Sequence, residues 1–351
     1  MRRKPVIILI TLALAFASCS MGTHDSITRE TMVFSAVASH SNVKGIITTT
    51  NYPVDVPFIV EAVHYPEGIA QSAGNSYISD ETISYDAVHG VWRPGGDIFW
   101  PANGDVVFYA GSPILHQIRL TPDKGVVADW EINTLEDSQV DLCVAKTTQK
   151  CEDHPAVVPI VFTHALSQIC FKARCLQNYS TSQRVDDMVQ ADVITVILDS
   201  VKVTDVLSKG HFTQNPFGWE VDPVHTAEYT VYSNPQGLEL RCDRYDNPVL
   251  NYLNTVLMIP QVLSGDARIE EWHHCVVRSS VTNVNTGEIV SDMTYPVSGH
   301  SSIPIRLCGE KWNPDYKYTY RIAVGLQSEN TVISLAVTDW TETKEIIIGD
   351  E

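Results

Sequence analysis

A chain of 351 residues, 44% of them hydrophobic, is long enough to bury more than one core. Its 19 glycines and 18 prolines are ordinary usage, which excludes a disordered or collagen-like chain. With 42 acidic against 24 basic residues the formal net charge is −18, the wrong sign for displacing counterions from a polyanion; nucleic acid is excluded as a partner, and anionic membrane surfaces would repel the chain.

The chain opens on Met1-Arg2-Arg3-Lys4, a compact positive cluster, followed by the apolar run Pro5–Ala17. That run is too short to span a bilayer and suits the apolar core of an export leader. It ends in Phe16-Ala17-Ser18-Cys19, which resembles a bacterial lipobox, with Phe16 where leucine is common. Residues 1–18 are therefore read as a lipoprotein signal peptide, with cleavage before Cys19 and lipidation of its thiol. The bland alternative is an ordinary leader cut near Ala17. No other run approaches a membrane span, so acyl chains would supply the only anchor.

Strand-like segments follow. Thr31–Ser39 (TMVFSAVAS) places Met32, Phe34, Ala36 and Ala38 on one face. Asp105–Ala110 (DVVFYA) is a short run rich in β-formers. Cys143 and Cys151 are spaced to close a loop, while Cys170 and Cys175 lie in one apparent strand and face opposite sides, beyond disulfide reach. With no Cys-x-x-Cys and an odd number left after Cys19, the thiols read mainly as small buried hydrophobes. Ser182–Gln190 hints at two helical turns through Val185, Met188 and Val189. Val193–Leu198 (VITVIL) is apolar on both faces, as a central strand would be. Tyr318–Gln327 alternates, with Tyr318, Tyr320, Ile322, Val324 and Leu326 opposite Thr319, Arg321 and Gln327, which predicts a half-buried strand; Ile333, Leu335 and Val337 repeat the pattern. Ile346-Ile347-Ile348 is apolar on both faces and suits a buried central strand better than a one-faced donor. Turns are signalled at Pro94-Gly95-Gly96, Asn103-Gly104 and Asn285-Thr286-Gly287. The class is all-β, and the polar stretch Gln177–Asp187 is the candidate boundary between two strand-rich halves.

Four segments in order resemble the fimbrillin family of Bacteroidetes lipoproteins, subunits of type V pili: Trp92-Arg93-Pro94 to Trp100-Pro101 with Val107–Ala110; Phe162–Ser167 with Ile169 and Phe171; Leu257-Met258-Ile259-Pro260-Gln261; and Trp312, Tyr318–Tyr320 and Val337–Trp340. The resemblance implies two tandem transthyretin-like Greek-key β-sandwich domains, at residues 45–180 and 181–351, behind a lipidated segment 19–44. It implies export to the outer membrane and cell surface, with other fimbrial subunits, and a host or bacterial surface protein or glycan, as partners. It implies that a trypsin-like or Arg-specific protease removes an N-terminal strand, and that a neighbouring subunit's strand fills the groove. Here the removable strand would carry Met32, Phe34, Ala36 and Ala38. Lys44 lies in the loop after it, while Arg29 lies before it, where cutting removes no strand. Ile346, Ile347 and Ile348 would be either a donor strand or the last strand of their own domain.

No G-x-S-x-G, H-E-x-x-H or G-x-x-x-x-G-K-[ST] motif is present, so no catalytic residue, cofactor or enzyme activity is expected. His273 and His274 beside Glu270, Glu271 and Cys275 make the best metal-like cluster, but neighbouring strand residues face opposite ways, so no metal is expected there. His164 reads as a packed, hydrogen-bonded histidine. Trp92, Trp100, Tyr109, Trp219, Tyr229 and Tyr232 leave open an alternative, a glycan-binding outer-membrane lipoprotein that does not polymerise.

Overall fold

The computed structural model describes residues 30–38, 52–67, 74–242, 255–307, 309–326, 331–340 and 346–348. Twenty-one strands and two 3-10 turns make up the described chain, with no α-helix among those residues. The all-β class read from the sequence is the class observed.

Seven strands close on themselves in the order β1-β4-β3-β2-β5-β8-β9. They are β1 (Phe34–Ala38), β2 (Phe58–Tyr65), β3 (Asn75–Asp86), β4 (Val91–Pro94), β5 (Asp105–Ser112), β8 (Cys143–Lys150) and β9 (Val158–His164). Period-two alternation explains the closure: Val158, Ile160 and Phe162 of β9 point inward, as do Phe58, Val60 and Ala62 of β2. An aromatic cluster of Tyr52, Phe58, Trp92 and Phe162 fills the interior, with ring centroids 4.8–5.7 Å apart. β2 and β5 are buried on both faces, because Ile59, Val63, Val107 and Tyr109 belong to a second core outside the barrel.

That second core joins the barrel to the other sheets. β6 (Ile118–Thr121) and β7 (Gly125–Glu131) pair with β13 (Lys209–Gln214) and β14 (Phe217–Val221) in a four-stranded sheet. β10 (Ser167–Cys175) lies between β16 (Val256–Met258) and β19 (Tyr316–Val324), with β20 (Val332–Asp339) and β21 (Ile346–Ile348) beyond. β11 (Tyr179–Val185), β12 (Met188–Leu207), β17 (Arg268–Asn283) and β18 (Ile289–Pro304) form the fourth sheet, and β15 (Thr226–Glu239) also pairs with β12.

Several details differ from the sequence reading. The helical turn expected at Ser182–Gln190 is the β11–β12 hairpin, and the polar stretch Gln177–Asp187 is largely strand rather than linker. β10 lies N-terminal to position 180 yet pairs with β19, and β13 lies C-terminal to it yet pairs with β7. β19 is buried on both faces, Thr319 and Arg321 included, and not half-buried. Its central position between β10 and β20 accounts for this. Cys143 and Cys151 are free thiols, because the eight residues of β8 stretch between them over roughly 25 Å. Cys175 instead bonds Cys242, a pairing the sequence reading did not anticipate.

Candidate functional site

β1 is the short strand on which barrel closure depends. It runs parallel to β9 from Phe34↔Val158 to Ala38↔Phe162 and meets β4 antiparallel at Phe34↔Trp92. Backbone bonds hold its start: Met32 N–H donates to Ile98 O at 2.7 Å, and Val158 N–H donates to Val33 O at 2.8 Å. Met32, Phe34 and Ala38 are buried in the barrel and Ala36 is half-buried, while Ser35 and Val37 face outward. Phe34 packs edge-on against Phe108. Burial of Met32 and Phe34 is worth about 1.5–3 kcal/mol each. Taking β1 away would leave β4 and β9 as edges and open the barrel interior.

Other residues singled out in the sequence fall as follows. Cys19, Arg29 and Lys44 lie outside the described residues. Ile346, Ile347 and Ile348 form β21, paired antiparallel with Val337, Ala336 and Leu335 of the chain's own β20, at the edge of the sheet rather than in its centre. His273 and His274 face opposite sides: His273 Nδ1 lies 2.9 Å from Glu271 Oε1, and His274 Nδ1 lies 2.8 Å from Asp199 Oδ1. Of the aromatic residues, Trp92, Tyr109, Tyr229 and Tyr232 are buried in the two cores. Trp100 stacks on His154 at 4.3 Å, and Trp219 donates its indole N–H to Ala165 O at 2.7 Å while lining a shallow groove with Phe217 and Pro260.

The structure also assembles a polar cluster with no local motif in the sequence. Ser112, Cys143 and His164 are successive cross-strand partners on β5, β8 and β9. Asp141, just before β8, brings its Oδ2 to 2.5 Å from His164 Nδ1 and 3.5 Å from Cys143 Sγ. Sγ also lies 3.5 Å from that same Nδ1. The His164 ring stacks flat on Trp340, centroids 4.0 Å apart, and the His164 backbone N–H donates to Asp315 Oδ1 at 3.3 Å. Asp141, Cys143 and His164 are all buried. Burial, then the Asp141 charge, raises the Cys143 thiol well above its ordinary pKa, so it stays protonated. A nucleophilic relay needs the carboxylate and the thiol on different ring nitrogens. Here both face Nδ1, and the thiol is out of reach of any substrate.

β1 with β9 and β10 with β19 run parallel and the other named pairs antiparallel, so the class is an all-β protein of mixed and antiparallel sheets packed with a closed barrel. A model of the fimbrillin-like family matches residues 62–340, more than half of the chain, and the chain belongs to that family. A fimbrial protein from Bacteroides vulgatus ATCC 8482 has a similar fold, at 15% identity and a TM-score of 0.55, over 88% of this chain and 99% of its own. A proposed cell adhesion protein from Bacteroides uniformis ATCC 8492 is similar at 14% identity and a TM-score of 0.50, over 89% and 98%. No curated protein matches the chain. Family membership supports a fimbrial subunit or adhesin at the cell surface, in association with other fimbrial subunits, and a structural rather than enzymatic role.

Proposed function

We propose that this chain is a pilus subunit or adhesin, exported as a lipoprotein through Cys19 to the outer membrane and assembled by strand exchange at the β1 seam. The observation that carries the reading is the seating of β1, which bonds to a neighbour on each side and buries Met32, Phe34 and Ala38 in the barrel. A proteolytic cut at Lys44 would free this strand from the rest of the barrel, whereas a cut at Arg29 would leave it in place. A donor strand that restored the β9 pairing and filled the pockets of Met32 and Phe34 would recover both the backbone hydrogen bonds and the apolar burial. Ile346–Ile348, at a sheet edge and held by one neighbour, is the segment proposed as donor.

The test is intact mass and native-gel mobility of the mature chain before and after limited trypsin treatment. A cut after Lys44 that leaves a folded core and gives a ladder of multimers is the expected result. A cleanly cut, folded core that stays monomeric would exclude self-polymerisation through this seam. Deleting residues 346–351 should abolish the ladder without preventing cleavage.

A further inference from the structure

Strand exchange at β1 makes no use of the buried Asp141–Cys143–His164 cluster, yet its chemistry is unusual for a structural protein. Three different donor atoms, Sγ, Nδ1 and Oδ2, come from fixed positions and lie within 4.8 Å of one another. We propose that they bind a single divalent cation of the Zn2+ type, at the junction of the barrel with the Asp315 and Trp340 segments.

Geometry supports the assignment. For a tetrahedral ion with Zn–N and Zn–O near 2.0–2.2 Å and Zn–S near 2.3 Å, donor atoms stand about 3.3 Å apart for N···O and about 3.6 Å for S···N and S···O. The two sulfur distances are already 3.5 Å. Only the 2.5 Å Asp141–His164 contact must open, by about 0.8 Å on that geometry. Asp141 can make that adjustment because it precedes β8 and is not held in the sheet ladder. Its other oxygen, Oδ1, is buried without a hydrogen-bond partner among the described residues, which is where a second carboxylate contact to the ion would form.

Charge balance points the same way. A divalent ion with one thiolate, one carboxylate and one neutral imidazole sums to zero, the condition for holding an ion in a dry interior. Binding expels two protons: the one on Cys143 Sγ, and the one held between Asp141 Oδ2 and His164 Nδ1. The imidazole keeps its Nε2 proton. The His164 ring is held flat on Trp340 and its backbone on Asp315, so the ligand is oriented before the ion arrives. The fourth position falls to a water. His164 closes β9, and its supports come from the C-terminal segments, so the ion would clamp the two parts of the chain together.

The experiment uses the untagged mature chain, unfolded and refolded with excess ZnCl2 or CoCl2 and then desalted. Wild type should retain about one ion per chain by mass spectrometry of the metal, and the cobalt form should show a thiolate-to-metal charge-transfer band. Asp141→Asn and Cys143→Ser should lose the ion, whereas Cys275→Ser, at another buried thiol, should keep it. A folded wild type that retains less than about 0.1 ion per chain overturns the proposal, as does a cobalt form without the thiolate band. The band belongs to the wild type itself, so failure of Cys143→Ser to fold would not rescue the proposal.

Discussion

Gly299 faces His273 across the β17–β18 ladder, and a methyl group there would stand 2.3 Å from the imidazole Cε1 and Nε2. The ring cannot retreat easily, because its Nδ1 is tied to Glu271 and both residues are buried. Gly299→Ala is therefore expected to lower unfolding free energy by about 1–3 kcal/mol in urea titrations, the usual cost of overpacking. Gly218→Ala, with open space at its Cβ position, should be near neutral in the same assay. The His273–Glu271 pair also makes stability depend on pH. Burial alone would lower the imidazole's pKa, but the nearby Cys275 sulfur and the hydrogen bond and charge of Glu271 overcome it, raising the value from 6.5 to about 10. The folded state thus holds the proton more tightly than the unfolded chain. This contribution is complete below pH 6.5 and is lost as the pH rises towards 10. The urea midpoint should fall across that window, and Glu271→Gln should flatten the slope.

Alternation was the legible signal at the level of elements. The first strand could be read from residues i, i+2, i+4 alone, because one face of it looks into a core. The β11–β12 hairpin could not, since its turn, Asp186-Asp187, lacks glycine and Val185, Met188 and Val189 happen to fall at helical spacing. Two helical turns are marginal in isolation, whereas β12 is paired with β17 from Met188 to Thr204, so tertiary pairing decides. Asp186 adopts φ of 52° to make the turn. Asp186→Val should cost roughly 1–2 kcal/mol in chemical denaturation, and Asp186→Gly should stay within about 0.5 kcal/mol of wild type. A helix at this position would reverse that order, because glycine is the poorer helix former. The Asp141–Cys143–His164 cluster was illegible for a related reason. His164 could be read as a packed, bonded histidine, but its partners come from a neighbouring strand, the segment before it and the distant Asp315 and Trp340. No spacing within one segment records such a convergence.

The molecule is held across its sheets by contacts between residues distant in sequence, and among the described residues the Cys175–Cys242 bond is a covalent one. Cys175 ends β10, in the sheet that carries β19 and β20, and Cys242 follows β15, which pairs with β12 in a different sheet. The Cys175 backbone N–H also donates to Arg241 O at 3.0 Å, so the two segments lie side by side before the sulfurs join. The bond closes a loop with a sequence separation of 67. A chain-entropy estimate for a loop of that size gives about 4 kcal/mol of stabilisation, exerted mainly on the unfolded chain. The double variant Cys175→Ala/Cys242→Ala should therefore unfold at lower denaturant, with a loss approaching that figure and a native state that keeps its β spectrum. Wild type in strong reductant should fall to the same level, and the variant should not respond to reductant at all. Equal stability of oxidised wild type and variant would mean that the unfolded chain is already constrained at this junction. A tie between sheets constrains the fold in a way that one within a sheet does not. It resists separation of the two sheets, which no strand ladder joins among the described residues.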